Sequence, residues 1–109
     1  AGAHAALVAS SPARRATLAE PPARVELTFS ERLEPAYARL AVEDASGARV
    51  DRGDAAVARD DARRLAVTLG PLGPGIYRVR FRVLSVDGHV VESTFPFTVR
   101  ERSGARSAR

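Results

Sequence analysis

Only two histidines occur in the 109 residues, and their positions could serve one purpose. His4 follows Ala1-Gly2-Ala3, a small-x-small triplet of the kind left at a secretory cleavage site. His89 closes Asp87-Gly88-His89 in the most apolar stretch of the chain. In an extended segment, residues two apart share a face, so Asp87 and His89 can project together. A fold that carried the start of the chain to this loop would gather two imidazoles and a carboxylate. A chain beginning at His4 would add a terminal amine. That nitrogen and oxygen set suits Cu(II). Each piece also has a plainer reading. An Asp-Gly pair between apolar alternations is a strong hairpin signal by itself, although a loop at the end of a barrel is also where ligands are well displayed. His4 could be an exposed residue of a frayed terminus, and the leading triplet one more alanine-rich stretch.

Composition narrows the chemistry further. The length fits one domain able to bury its own core. Cysteine and methionine are absent, which removes disulfides, thiolate metal sites and the thioether ligands that favour Cu(I). No run is long and apolar enough to span a membrane, so direct membrane insertion is not expected. The net charge of +4 is concentrated at the end, where Arg100, Arg102, Arg106 and Arg109 face only Glu101. The remainder is nearly balanced, with 13 arginines against 12 acids. Nucleic-acid binding would want a basic face with interleaved readers, so it is not expected. Residues 101–109 read as a flexible arginine-rich tail or linker. Ser10, Ser11, Ser30 and Ser85 carry hydroxyls, but a nucleophile needs a base within reach and both histidines are better used as ligands. No catalysis is expected.

The elements that must position these groups are strands, since period-two alternation dominates. Val25, Leu27 and Phe29 alternate with polar residues, as do Leu40 and Val42, and then Leu65, Val67 and Leu69. The longest strand covers about 76–84, with Tyr77, Val79, Phe81 and Val83 on one face and Arg78, Arg80 and Arg82 on the other. Phe95, Phe97 and Val99 form the last inward row, and Pro96 implies an edge or a bulge there. Leu7 and Val8 read as a first strand ending in the turn Ser10-Ser11-Pro12, which puts His4 at its start. Turn residues at short intervals point to an all-β sandwich or Greek-key barrel. Residues 31–39 and 51–64 carry the weakest pattern; 54–64 fits either a short helical turn or an irregular strand.

Five segments together resemble one family. They are His4-Ala5-Ala6-Leu7-Val8-Ala9-Ser10-Ser11-Pro12, Val25-Glu26-Leu27-Thr28-Phe29-Ser30-Glu31, Leu72-Gly73-Pro74-Gly75-Ile76-Tyr77-Arg78-Val79, Phe81-Arg82-Val83-Leu84-Ser85-Val86-Asp87-Gly88-His89 and Phe95-Pro96-Phe97-Thr98-Val99. In this order they are similar to the CopC family of periplasmic copper-binding proteins over residues 4–100. The resemblance implies a seven-stranded Greek-key β-barrel or sandwich, cupredoxin-like or immunoglobulin-like. It also implies a copper site in which a mature N-terminal histidine gives amine and imidazole, and an Asp-x-His motif gives the rest. By position these ligands are His4, Asp87 and His89. Glu31 matches a residue near the metal in some members, and reads equally as an ordinary exposed acid at a strand end.

The expected protein is therefore an exported, monomeric, periplasmic or extracytoplasmic Cu(II) binder with one site. It would act in copper homeostasis, resistance or delivery to a membrane copper transporter of the CopD type. Residues 1–3 would be the remnant of a signal-peptide cleavage site and 4–100 the copper-binding domain. If those three residues stay attached, the amine chelate at His4 is lost and a weaker side-chain site remains. Two other readings compete: a metal-free immunoglobulin-like adhesion or spacer module, and a copper-brace oxidative enzyme. Against the latter, the chain has no tryptophan and only Tyr37 and Tyr77 as tyrosines, too few for a flat substrate platform.

Overall fold

A computed structural model describes residues 6–101. Its strands are β1 (Leu7–Ser11), β2 (Thr17–Leu18), β3 (Arg24–Phe29), β4 (Arg39–Glu43), β5 (Ala56–Val57), β6 (Arg64–Thr68), β7 (Gly75–Leu84) and β8 (Val90–Val99). One short 3-10 turn spans Pro35–Tyr37. The strands form two four-stranded sheets, ordered β1-β3-β6-β5 and β2-β8-β7-β4. The chain crosses between sheets after each of β1, β2, β3 and β4 and again after β6, which gives the Greek-key sandwich expected from the turn spacing. Eight strands appear rather than seven, and two of them, β2 and β5, are two-residue pieces at sheet edges.

Each alternating row found in the sequence faces inward. Val25, Leu27 and Phe29 of β3 and Leu65 and Val67 of β6 meet Leu40 and Val42 of β4, Tyr77, Val79, Phe81 and Val83 of β7 and Phe95, Phe97 and Val99 of β8. All are 6% exposed or less, so burial rather than intrinsic propensity sets the register: a one-residue slip would turn every row to water. Phe29 and Phe81 join the sheets edge-to-face, with ring centroids 5.5 Å apart. Tyr77 and Phe97, cross-strand partners on β7 and β8, stack at 5.4 Å, and the Tyr77 hydroxyl donates to the Gly73 carbonyl at 2.6 Å.

The weakly patterned regions resolve as irregular backbone. Residues 54–64 contain β5 and a turn in which Arg64 N–H donates to the Asp61 carbonyl, and no helix. Pro96 lies in β8, the second strand of its sheet, yet β2 reaches only Thr98 and Val99. On the side away from β7 no strand covers β8 at Pro96, and the Pro96 carbonyl there accepts from Arg15 N–H at 2.7 Å. The missing proline donor therefore breaks no ladder bond.

Candidate metal centre

β7 and β8 are each ten residues long and pair in register from Gly75↔Val99 to Leu84↔Val90, so residues 85–89 form the tip of a long, rigid hairpin. The sequence closes this tip tightly. Gly88 takes φ +91°, a conformation that costs a residue with a Cβ, and its N–H donates to the Ser85 carbonyl at 2.9 Å. Ser85 N–H donates to the His89 carbonyl at 2.9 Å.

Ser85 organises the side chains as well as the turn. It is 1% exposed. Its Oγ donates to Oδ1 of Asp87 and accepts from His89 N–H at 3.1 Å. Asp87 Oδ1 lies 3.3 Å from Nδ1 of His89, and that nitrogen is screened from solvent while the imidazole as a whole is 40% exposed. The Ser85 hydroxyl, acting against a smaller desolvation, holds the Asp87 carboxyl below its usual range, and His89 adds to the effect. A carboxylate beside Nδ1, which leaves metal ligation to Nε2, is a recurring arrangement for metal-binding histidines.

Three segments meet at this end of the sandwich. Leu33 bridges Ser85, Glu34 N–H donates to the Leu84 carbonyl at 2.8 Å, and Val86 N–H donates to the Arg32 carbonyl at 2.9 Å. Immediately before this stretch, Ser30 N–H donates to the Ala6 carbonyl at 2.8 Å and Ala6 N–H to Ser30 Oγ at 2.9 Å. The start of the described chain is thus tied to 30–34, and 30–34 to the hairpin tip. Glu31 sits half-buried between the two attachments.

Of the residues singled out in the sequence, Asp87 and His89 are in contact and Glu31 lies in the adjoining segment. His4 lies outside the described residues. Among the described residues, no three His, Asp or Glu side chains are grouped closely enough to hold a metal ion, so Glu31 does not complete a triad with Asp87 and His89. Sequence reasoning missed Ser85, treating it only as a possible nucleophile. Its spacing in Ser85-x-Asp87-x-His89 was the available signal.

A sequence model described as the CopC domain matches residues 7–100. The chain belongs to the CopC family. CopC-family likeness extends to the fold: a crystal structure of CopC from Methylosinus trichosporium OB3b superposes with a TM-score of 0.79 at 38% identity, covering 90% of this chain and 95% of that one. PcoC from Escherichia coli, described as a methionine-rich copper resistance protein, superposes at 0.78 with 27% identity, covering 90% of this chain and all of that one. Copper resistance protein C of Xanthomonas campestris pv. juglandis is 34% identical over 104 residues, 90% of this chain and 81% of that protein. Copper transport protein CutJ of Bacillus subtilis is 33% identical over 107 residues; these are 97% of this chain but 20% of CutJ, so the match covers a fifth of that protein's length.

Proposed function

We propose that this CopC-family chain binds one Cu(II) ion outside the cytoplasm and handles it as cargo, holding and passing it without catalysis. The ligands in this reading are the imidazoles of His4 and His89, with the terminal amine of a chain processed to begin at His4. The observation that carries it is the Ser85–Asp87–His89 network at the hairpin tip, tied through 30–34 to the start of β1. Ala6 is anchored to Ser30, and two further residues of extended chain reach about 7 Å.

In this reading Asp87 acts mainly through His89. Its Oδ1 is already engaged by the Ser85 hydroxyl and faces Nδ1, so the carboxylate orients the ring and offsets the ion's charge. Glu31 is a secondary candidate on position alone. The donors are nitrogen and oxygen, as Cu(II) prefers. Where PcoC is described as methionine rich, this chain has no methionine, which supports a Cu(II)-only site. Names of relatives in copper transport and resistance favour delivery to, or buffering for, a membrane copper transporter of the CopD type.

Titration of the protein beginning at His4 with Cu(II), followed by electron paramagnetic resonance, tests the reading. One tetragonal, nitrogen-rich centre is expected, lost or weakened at least about tenfold in His89→Ala and in a chain retaining Ala1-Gly2-Ala3. Unchanged affinity in His89→Ala would remove the hairpin tip from the site.

A further inference from the structure

The outer face of the β4–β7–β8 sheet is uneven in charge. β7 turns Arg78, Arg80 and Arg82 outward, and Arg39 of β4 lies directly across from Arg82. Like charges in that register cost stability. Glu43 holds Arg80 at 3.0 Å, but Arg82 reaches Glu92 only at 3.9 Å, with both side chains more than half exposed. Arg39 makes no ion pair among the described residues; its Nη1 is held instead by the carbonyls of Ala36 and Ala38, at 3.2 and 3.1 Å. Between these strands runs a groove of about 550 Å³, whose charged lining is Arg39, Arg49, Arg80 and Arg82 against Glu43 and Glu92. Toward the hairpin tip the same face ends in the apolar cross-strand pair Leu84↔Val90, with Val90 53% exposed.

We propose that this groove docks an acidic, extended segment of a partner protein, with carboxylates seated on Arg39 and Arg82 and an apolar side chain on Leu84 and Val90. Every cationic side chain in the protein is arginine, whose planar fork binds carboxylate through two parallel hydrogen bonds. The backbone carbonyls that hold Arg39 set that fork in place before any ligand arrives. Glu43 and Glu92 interrupt the basic surface, which disfavours uniformly anionic bilayers and nucleic acid but leaves room for a peptide of spaced carboxylates. A segment lying along β7 in this way would end beside residues 85–89. The docking surface itself does not depend on copper being the cargo.

The probe is a short fluorescent peptide alternating glutamate and alanine and ending in leucine, titrated into the whole chain while backbone amide shifts are followed by NMR. Shifts should gather on 39–41, 80–84 and 90–94. Arg39→Gln and Arg82→Gln should each weaken binding about tenfold, the effect of losing a charge-assisted contact. Their melting temperatures should hold or rise, since each substitution removes a like-charge pair. Arg59→Gln/Arg63→Gln, distant in sequence from the groove strands, should bind as the parent does. Equal weakening in that control, shifts scattered over the molecule, preference for anionic vesicles or oligonucleotides, or self-association abolished by Arg82→Gln would each overturn the proposal. Cu(II) affinity measured on the same variants should be unchanged, so failure here and failure of the copper reading are distinguishable.

Discussion

Ser85 has one hydroxyl proton, and in this structure it goes to Asp87 while the oxygen accepts from His89 N–H. Removing the hydroxyl therefore acts twice: it leaves a turn N–H short of an acceptor and frees the carboxylate that orients the imidazole. Ser85→Ala should cost about 1–2 kcal/mol of stability, measured by urea unfolding. It should also weaken Cu(II) binding, although alanine touches no metal. Loss of stability with Cu(II) affinity untouched would mean that Ser85 serves the turn alone. Gly88 gives a separable comparison. A Cβ there would meet nothing within 4 Å, so the penalty of Gly88→Ala comes from φ +91° alone, about 1 kcal/mol. The Asp87 carboxyl is held below its ordinary range by Ser85 and His89, so the network is intact at neutral pH and fails as acid protonates that carboxyl. The chemistry of residues 87–89 was legible because two ligand types stand two apart in a turn signal. The part played by Ser85 was not, because a serine beside Asp-Gly looks like any turn residue until burial removes its other partners.

Among the elements, the segment that closes β4 is held by a carboxylate. Asp51 has no solvent-exposed side-chain surface and accepts from Val42 N–H at 2.8 Å, from Gly53 N–H at 2.9 Å and from both Nε and Nη2 of Arg49. Burial opposes its ionisation, but these donors outweigh burial and bring its pKa to about 2. A carboxyl depressed in the folded state stabilises fully above its unfolded value near 4, and that contribution fades as pH falls through the interval down to 2. The loss should approach about 2 kcal/mol in acid unfolding curves. Asp51→Asn should flatten that dependence and lower stability at neutral pH. Asp51 also shows where reading by pattern stops. Long rows such as 77–83 and 95–99 were visible because two-residue alternation with a buried face leaves no other register. β2, β5 and the turn at Pro35–Tyr37 were not, because pieces this short take their structure from neighbours distant in sequence, such as Thr17 from Thr98 and Ala56 from Ala66.

At the scale of the whole molecule, the sandwich is one cooperative unit, since Phe29 and Phe81 lock the two sheets across a shared core. Phe81→Ala should cost about 3–5 kcal/mol, a large part of what a domain of this size has available. Metal should act in the opposite direction. In the proposed site one ligand comes from the start of the chain, attached to the β1–β3 sheet, and another from the tip of the β7–β8 hairpin in the other sheet. An ion bound only by the folded arrangement stabilises it by mass action: free Cu(II) at a hundredfold over Kd contributes about 2.7 kcal/mol. For a domain of roughly 100 residues that corresponds to a rise in Tm of about 10–20 °C, from about 4–8 °C per kcal/mol. Calorimetry of the His4-initiated chain should show this rise, its reversal by a chelator, and little of it in His89→Ala. The rise should shrink as pH drops, because amine and imidazoles must shed protons before they can bind. A Tm that Cu(II) leaves unmoved in the parent protein would mean that the two sheets share no metal.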